Sequence, residues 1–487
     1  MDYPNFVGGS AVEQSPLADG ERTMNWFVES AEAAGATGPA LYPTPGVDLL
    51  VEAGDSPGRG SLTCQNRTFF VIGTTFYEMS SAYVLTSRGS VANDGNPATL
   101  CWNGDGGGEV FITSGDNGYI FTLATNAFAQ VRTGATTMGA HLDGYFIALD
   151  AATSTFYLSD LLDGTTWNPT QFAQRSIAPD PWVSMQVFDR YLWLFGSETS
   201  EVWYDAGTFP FPFTPHPSGL VQMGCAAPYS PTVAGNTLSW LCQDNDGSGM
   251  VCQAEGFTPR VVSSFALSNA LAGYADISDA IGDSHEHLGH TFYVLTMPTA
   301  QVTWALDVTP SLQLAAPMRW AERGTWLPDS NRYDAWRPAF HVYANGEHVM
   351  LDWNGNGVYR LSASTGTDVG GRAIRRLRRP PALWAENARV SVPLFELFLE
   401  PGLGAVSGQG SNPQVSLRVS GDGGKTWSNE RWRSAGALGD YSTRVRWLRN
   451  GRARRWMPEV VVSDPVPWRL LGASVAVTRE RALMGAA

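Results

Sequence analysis

This 487-residue sequence has a single lysine and no regular spacing of its cysteines. Lys425 is the only lysine, and charged residues make up 16% of the chain, against about a quarter in a typical soluble protein. Five cysteines without framework spacing exclude a disulfide-rich secreted scaffold. They favour buried free thiols, with a bond between Cys242 and Cys252 across a hairpin as the alternative.

Long apolar runs and helical periodicity are also missing. Because no stretch reaches the roughly 18 apolar residues that span a bilayer, we expect no membrane anchor. The N-terminal MDYPNFVGGS has neither a basic region nor an apolar core, so we expect no signal peptide. The best helix candidate, at 266–280, is short. No P-loop, nucleophile elbow or Ser-His-Asp order appears, so nothing requires an enzyme or a cofactor.

Aromatic hairpins recur instead along the first three quarters of the chain. Each unit is an aromatic or β-branched run, a short polar turn and a second such run, which is typical of a β-hairpin. The seven units begin at residues 68, 109, 145, 191, 237, 291 and 348. Their spacing of 36 to 57 residues favours β-propeller blades over a row of sandwiches. The sequence therefore predicts a propeller of about seven blades, with six as the alternative.

The segments on either side of the hairpins predict further β-structure. NWFVES (25–30) and LYPTPGVDLL (41–50) indicate a strand, a turn and a strand, one of which could close the ring against the last blade. Beyond 380–381, period-two segments indicate a small antiparallel β-sandwich. We therefore expect an all-β chain in three parts. These are N-terminal strands closing or flanking the propeller, the propeller itself and a basic C-terminal β-sandwich, at 1–60, 61–371 and 372–487.

Charge is divided unevenly along the chain. Residues 1–371 hold 13 arginines and 37 acidic residues, a balance of −24, whereas residues 372–487 hold 19 basic and 9 acidic residues, a balance of +10. Because Arg and Trp are favoured anchors of protein interfaces, the basic part predicts a surface for an acidic partner. The candidate interface residues are Arg372, Arg375, Arg376, Arg378, Arg379, Arg444, Arg446, Trp447, Arg452, Arg454, Arg455 and Trp456. Nucleic acid is the alternative partner, since it binds the same mixture of residues.

The segment SGDGGKTW (420–427) fits S-x-D-x-G-x-T-W, the Asp-box hairpin that recurs in sialidases. The pattern predicts a structural turn, in which a carboxylate accepts backbone N–H bonds, glycines adopt positive φ and an indole packs on the hairpin. The turn residues are Ser420, Asp422, Gly424, Thr426 and Trp427. A looser copy, SDLLDGTTW, lies at 159–167. A glycan-binding or sialidase-like propeller enzyme is the alternative function that this motif raises.

The segment HEHLGH (285–290), with Asp283 before it, is the main metal-site candidate. Three imidazoles and two carboxylates within eight residues could bind zinc. The segment is not H-E-x-x-H, because Gly289 stands where the second histidine is needed. Since neighbouring side chains on a strand also point to opposite faces, we expect no metal here.

The ordered segments resemble the packaged-DNA stabilization, or tail hub, proteins of short-tailed phages. NWFVES and ALYPTPGV resemble the opening strand and Thr-Pro-Gly turn of that family. Three further segments resemble successive blades of that family, namely HLDGYFIALDAATSTFYLSDLLDGTTWNP, VFDRYLWLFGSETSEVWYDAG and DSHEHLGHTFYVLTMP. Three later segments resemble the C-terminal module of related phage proteins, namely SLRVSGDGGKTW, GDYSTRVRWLRNGRARRW and VSDPVPWRLLGASV. The likeness runs in order from Asn25 to Val477.

This resemblance implies a structural protein rather than an enzyme. It implies a homo-oligomeric ring, a hexamer, beneath the portal and its adaptor, the head-to-tail connector. Packaged DNA would pass through the ring, which would narrow the exit channel and retain the genome. The ring would also anchor the tail needle and the tailspikes or other receptor-binding proteins. We therefore expect the protein in the virion tail, and in the host cytoplasm during assembly.

Overall fold

β-Strands dominate the fold, with 56% of the chain in strands and 4% in helices. The computed structural model describes residues 1–15, 17–30, 38–175, 177–243, 247, 249–309, 319–385 and 388–479. The helical elements of these ranges are Gly104–Gly107, Phe265–Ala272 and the 3-10 turn Val369–Gly371. The helix expected at 266–280 is therefore shorter than predicted, because it ends at Gly273. No helix among the described residues is long and apolar enough to cross a membrane.

Seven groups of four antiparallel strands form the blades of a propeller; six of them are separate four-stranded sheets, and blade 6 is one end of a twelve-stranded sheet. Blade 1 consists of Gly58–Cys64, Arg67–Ile72, Thr75–Met79 and Leu85–Ser90, and blade 2 of Thr99–Trp102, Glu109–Ser114, Asn117–Thr122 and Ala127–Arg132. Blade 3 consists of Met138–Leu142, Tyr145–Asp150, Thr155–Asp160 and Asp163–Gln174, and blade 4 of Trp182–Phe188, Tyr191–Gly196, Ser200–Asp205 and Phe213–Val221.

The remaining three blades repeat this order from the inner to the outer strand. Blade 5 consists of Thr232–Ala234, Thr237–Gln243, Gly249–Glu255 and Thr258–Val261. Blade 6 consists of Ile281–His287, His290–Met297, Val302–Asp307 and Trp320–Leu327. Blade 7 consists of Pro338–Ala344, Glu347–Asp352, Gly357–Ser362 and the N-terminal strand Gly46–Glu52. The predicted all-β propeller and its count of seven are confirmed.

The N-terminal strand of blade 7 closes the ring, as one alternative of the sequence analysis expected. Gly46–Glu52 pairs antiparallel with Gly357–Ser362, which joins the two ends of the propeller by backbone hydrogen bonds. The inner strands approach one another closely around the ring. At Gly282, for example, a Cβ atom would lie 2.1 Å from Ser230 O, so only glycine fits.

Buried aromatic rings fill the spaces between blades. The rings of Phe111 in blade 2 and Phe146 in blade 3 lie 5.3 Å apart, and those of Phe195 in blade 4 and Trp240 in blade 5 lie 5.4 Å apart. Each large apolar side chain removed from water contributes about 2–3 kcal/mol of stabilisation. The aromatic run in each hairpin therefore stabilises the ring as well as its own blade.

A β-sandwich extends outward from blade 6. One of its sheets continues from the outer strand Trp320–Leu327, in the order Gly20–Met24, Arg376–Arg379, Arg455–Val462, Gln414–Ser420 and Arg431–Ser434. The facing sheet has the order Trp26–Glu29, Ala40–Pro43, Leu470–Arg479, Val390–Leu399 and Val445–Leu448. Short strands pair at the margins, at Ala11–Val12, Arg332–Ala335, Thr367–Asp368, Arg372–Ala373, Leu383–Trp384 and Arg452–Ala453.

Strands from the N-terminal segment belong to both sheets of this sandwich. Trp26 and Leu41 are buried in one core with Phe395, Trp447 and Trp456 from the C-terminal part. Strands Gly20–Met24, Trp26–Glu29 and Ala40–Pro43 therefore pack with the C-terminal strands, while Gly46–Glu52 completes the propeller. The three-part division of the chain at 60 and 371 stays a prediction, but the structure shows that the first of those parts contributes strands to both of the others.

Cys242 and Cys252 are bonded to each other across neighbouring strands of blade 5, with their Cα atoms 6.1 Å apart. This pairing corrects the favoured expectation of free thiols at these two positions. Cys64, Cys101 and Cys225 are free. Burial raises the pKa of the Cys64 thiol to about 11 and that of Cys225 to about 12, which keeps both thiols protonated.

Candidate assembly surfaces

Arg378 lies inside the molecule rather than on its surface. Its strand, Arg376–Arg379, is paired on both sides, with Gly20–Met24 and with Arg455–Val462. The Arg378 side chain is 0% exposed and forms an ion pair with Glu21. Its guanidinium also donates to the carbonyl oxygens of Asn5, Phe6 and Gly9 and to Thr23 Oγ1. The side chain therefore holds the N-terminal segment against the sandwich.

Arg376 is buried in the same strand. Its Nη2 donates to Thr44 O at 3.3 Å, and its guanidinium lies 5.9 Å from the centre of the Trp26 ring. Burial lowers the pKa of Arg376 to about 10. An interface role predicted for Arg376 and Arg378 does not fit these positions, because a partner could reach neither side chain without opening the sandwich.

Arg375 and Arg379 are half-buried and have partners within the chain. Arg375 lies 4.2 Å over the Trp326 ring, and its Nη2 is 3.6 Å from a carboxylate oxygen of Glu430. Arg379 donates to Glu459 Oε2 at 3.0 and 2.6 Å. Burial raises the pKa of Glu459, but Arg379 and Arg418 outweigh burial and hold it below the ordinary value. Within this first cluster only Arg372 is exposed, so an interface role is open chiefly to that residue.

The second arginine cluster is divided by strand alternation. On Val445–Leu448 the side chains of Val445 and Trp447 point into the core, whereas Arg446 and Leu448 point outward. Trp447 and Trp456 are buried, and their indole N–H groups donate to Arg431 O and Asn450 O at 2.8 Å. These two tryptophans are thus core residues rather than interface anchors.

The arginines of the second cluster remain at the surface. Arg444, Arg446, Arg452 and Arg454 are exposed, and Arg455 is half-buried with its Nη1 on Leu17 O at 2.5 Å. Arg444 makes a bidentate contact with Glu396 at 2.6 and 2.7 Å. The interface role of the exposed arginines stays a prediction, and their positions are compatible with it.

The Asp-box residues lie in one closed turn. Asp422 accepts the backbone N–H groups of Lys425 and Thr426 at 2.9 Å and the Thr426 hydroxyl at 2.7 Å. These bonds, with that from Ser420, hold the pKa of Asp422 well below its ordinary value. Gly424 has a φ of 96°, and the Trp427 indole donates to Gly424 O at 3.1 Å. The polar side chains of Ser420, Asp422, Thr426 and Trp427 therefore all bond within the turn.

The looser copy in blade 3 forms a similar turn. Asp163 accepts the Thr165 backbone N–H at 2.9 Å, and the Trp167 indole donates to Gly164 O at 2.7 Å. Both turns share a Gly-x-x-Trp contact, in which the indole donates to the glycine carbonyl, but the aspartate stands two residues before that glycine in the Asp box and one residue before it in blade 3. In both, the carboxylate stabilises a hairpin corner.

The histidines of the 285–290 segment diverge instead of meeting. His285 Nε2 lies 2.7 Å from Arg323 Nη1, whereas His290 contacts Asp307 at 2.6 Å and Glu29 at 2.9 Å. Burial lowers the pKa of His290, but the two carboxylates outweigh burial and raise it to about 9. Among the residues that the structure describes, no group of three or more His, Cys, Asp or Glu side chains is placed to hold a metal ion.

An acidic surface between blades 3 and 4 was missed by the sequence analysis. Two neighbouring depressions of about 620 and 350 Å³ share Leu161, Asp205 and Gly207 in their walls. The first is also lined by Asp143, which pairs with Arg190 at 3.1 Å, and the second by Asp160 and Phe209, so the carboxylates without an arginine partner in the lining are those of Asp160 and Asp205. Phe209 is 96% exposed, and Leu161 is exposed as well. The available signal was large apolar residues inside the turn segments SDLLDG and GTFPFPF.

Solved structures similar to this chain are distant from it in sequence. The N-terminal domain of Nup159 is 10% identical, with a TM-score of 0.41, covering 70% of this chain and 98% of that one. Virginiamycin B lyase from Staphylococcus aureus is 10% identical, with a TM-score of 0.42 and coverages of 65% and 98%. These likenesses support no inference about function. Among the curated proteins, none matches the chain.

Two family models match the chain in succession. The model described as "Bacteriophage P22 Gp10, beta-propeller" matches residues 22–366, and the model described as "Bacteriophage P22 Gp10, beta-sandwich" matches residues 375–477. The two matches follow the order of the propeller and the sandwich, and they confirm the family that the sequence resembles. The chain therefore belongs to the bacteriophage P22 Gp10 family of structural tail hub and DNA-stabilising proteins of short-tailed phages.

Proposed function

We propose that copies of this chain form a ring, a hexamer, beneath the portal and its adaptor in the virion tail. The ring narrows the exit channel, retains the packaged DNA and anchors the tail needle and tailspikes. The observation that best supports this role is the ordered match of both Gp10 models, at 22–366 and 375–477. A member of that family is a virion component that associates with other virion proteins.

The distribution of charge supports a role in assembly and DNA passage. The balance of −24 over residues 1–371 repels phosphate, so DNA could slide past a channel lined by this part without sticking. The exposed arginines of the sandwich suit carboxylates on a neighbouring protein, and opposite charges on two faces can set the order of assembly. No catalytic activity is included, because the carboxylates of both Asp boxes serve their own turns.

The proposed role can be tested in a phage whose gene for this chain carries an early stop codon. We expect heads that package DNA and then lose it, and tails without needle or tailspikes in electron micrographs. Supplying the wild-type chain in trans should restore both properties. Full DNA retention and normal tails without the chain would contradict the proposal.

The alternative of a glycan-cleaving propeller makes a different prediction. A fluorogenic sialoside assay and a glycan array on the purified protein should both give no signal above a Trp427→Ala control. Turnover that survives purification and disappears when one carboxylate is replaced would favour the alternative.

A further inference from the structure

The outer corner of the sandwich carries a surface that combines arginines with apolar side chains. We call it the arginine strip, and it consists of Trp432, Arg433, Arg444, Arg446, Leu448 and Arg449, all exposed. Leu448 is 65% exposed although it stands directly beside Arg449 and one residue from the core residue Trp447. Trp432 is 46% exposed, and tryptophan and arginine are enriched among the residues that anchor protein interfaces.

Two side chains hold the arginine strip in a fixed shape. Strands Arg431–Ser434 and Val445–Leu448 are the last strands of the two facing sheets. Arg431 donates to Leu448 O at 3.2 Å, and Arg433 donates to Arg446 O at 3.1 Å. These bonds occupy carbonyl groups on the open edge of Val445–Leu448, so the strip is presented by its side chains rather than by a strand edge that could pair.

The acidic depressions between blades 3 and 4 are complementary to the arginine strip in charge and in apolar character. Asp160 and Asp205 line the second depression beside Leu161 and Phe209. Carboxylates would face guanidinium groups, which form bidentate contacts with them, while the leucine and phenylalanine would cover exposed apolar surface on the other side. The two surfaces therefore carry opposite charges, and each also exposes apolar side chains that the other could cover.

The two surfaces cannot meet within one copy of the chain. Arg431–Ser434 is the fifth strand beyond the outer strand of blade 6. At about 4.8 Å per strand, it lies roughly 24 Å outside that blade. The acidic depressions lie between blades 3 and 4, on the other side of blade 5. A contact between them must therefore join two molecules.

We propose that the arginine strip of one copy docks on the acidic depressions of a second copy. The contact uses different surfaces on the two partners, and head-to-tail contacts of this kind generate rings when the rotation closes. This inference rests on the proposed ring and assigns the surfaces that build it. The strip favours protein over DNA, because Leu448 and Trp432 gain from burial against apolar side chains and not from phosphate.

A charge-exchange experiment on the full-length protein tests this contact. One variant carries Arg446→Glu and Arg449→Glu, and the other carries Asp160→Arg and Asp205→Arg. Each variant alone places like charges across the contact, so its self-association should be at least about 100-fold weaker than that of the wild type. When the two variants alternate around a ring, every contact again joins opposite charges. An equimolar mixture should therefore assemble as the wild type does. Sedimentation velocity or mass photometry measures both effects.

Matched controls separate the contact from general effects of charge and folding. Arg260→Glu with Arg332→Glu makes the same change in net charge on other exposed surfaces and should leave self-association unchanged. Phe209→Ala should weaken self-association about tenfold, because an interface anchor is removed. Phe265, which is 89% exposed on the helix Phe265–Ala272, provides the control Phe265→Ala. Thermal melting should show that all variants fold.

Several outcomes overturn the assignment. These are a wild type that stays monomeric at every attainable concentration, either folded charge variant associating like the wild type, or a folded mixture that fails to assemble. Loss of DNA binding with unchanged self-association in the Arg446→Glu, Arg449→Glu variant would assign the strip to nucleic acid instead. If the phage that carries the early stop codon loses its DNA, such results reject only the arginine strip and the acidic depressions as the contact between copies. If that phage keeps its DNA, the proposed function itself fails.

Discussion

Two strands, one from each arginine cluster of this chain, have opposite environments. Arg376–Arg379 is a central strand, paired on both sides and covered by the N-terminal segment, so its guanidinium groups stabilise the fold. Val445–Leu448 is an edge strand of the facing sheet, so its arginine faces solvent. The comparison shows that a cluster of arginines in a sequence reveals only positive charge. The position of the strand in its sheet decides whether those arginines stabilise the fold or contact a partner.

The largest effect should come from replacing the central arginine. Arg378→Met keeps an apolar stem but leaves Glu21 and three carbonyl groups without their donor. Breaking a buried ion pair in this way costs about 3–5 kcal/mol of the free energy of unfolding. Denaturant unfolding followed by tryptophan fluorescence should show the loss. A variant as stable as the wild type would place the Arg378 side chain at the surface.

The carboxylate beside the central strand gives a second, pH-dependent test. Glu459 is buried between Arg379 and Arg418, and its pKa in the folded protein lies below the ordinary 4.5. A carboxyl group with a lowered pKa stabilises the fold above its unfolded pKa, and this contribution is lost as the pH falls through the folded pKa. Glu459→Gln should therefore destabilise the protein by about 2–3 kcal/mol at neutral pH.

The difference in stability between the wild type and Glu459→Gln should shrink below about pH 4.5. Melting temperatures of both proteins between pH 7 and pH 3 measure it. Arg260→Gln provides the matched control, because Arg260 pairs with Glu255 at the surface, where both side chains are more than half exposed and the ion pair contributes little. A difference that stays constant with pH would show that Glu459 acts through packing rather than charge.

The sequence predicted the propeller well because its signal is local. Aromatic runs around a polar turn mark each hairpin. The closing strand Gly46–Glu52 overlaps the segment 41–50, one of the two segments considered for closing the ring. The sandwich was also predicted from its period-two segments, in agreement with the family match at 375–477. These features depend on residues close together in the chain, which a sequence displays directly.

The sequence could not show which strands are central or what covers them. Leu377 faces Met24 and Val461, while the arginines on either side of it face residues 5–9 and Thr44. Period two predicts one face outward, but residues 5–9 and 44 cover that face from more than 300 positions away. The acidic depressions were missed for the same reason, since Asp160 and Asp205 come from different blades.

Replacing the turn aspartate of either Asp box should lower the free energy of unfolding by a smaller amount. Asp422→Ala removes four acceptor bonds from a surface turn and should cost about 1 kcal/mol, since water replaces part of each bond. Asp163→Ala should cost about the same in blade 3, because its turn has similar bonds. Equal shifts in melting temperature would support one structural role for both boxes. A much larger shift at Asp422 would indicate that the turn also supports the stacked Arg379 and Arg418.

The smallest effect on stability should come from Arg446→Ala on the edge strand. Its side chain is exposed, and Arg433 bonds to its backbone carbonyl, which the substitution keeps. The free energy of unfolding should change by no more than about 0.5 kcal/mol, in contrast to Arg378→Met. Self-association should nevertheless fall, because the lost guanidinium belongs to the arginine strip. A variant that is stable and also associates normally would show that Arg446 has neither a structural nor a contact role. The two strands would then differ only in how deeply their arginines are buried.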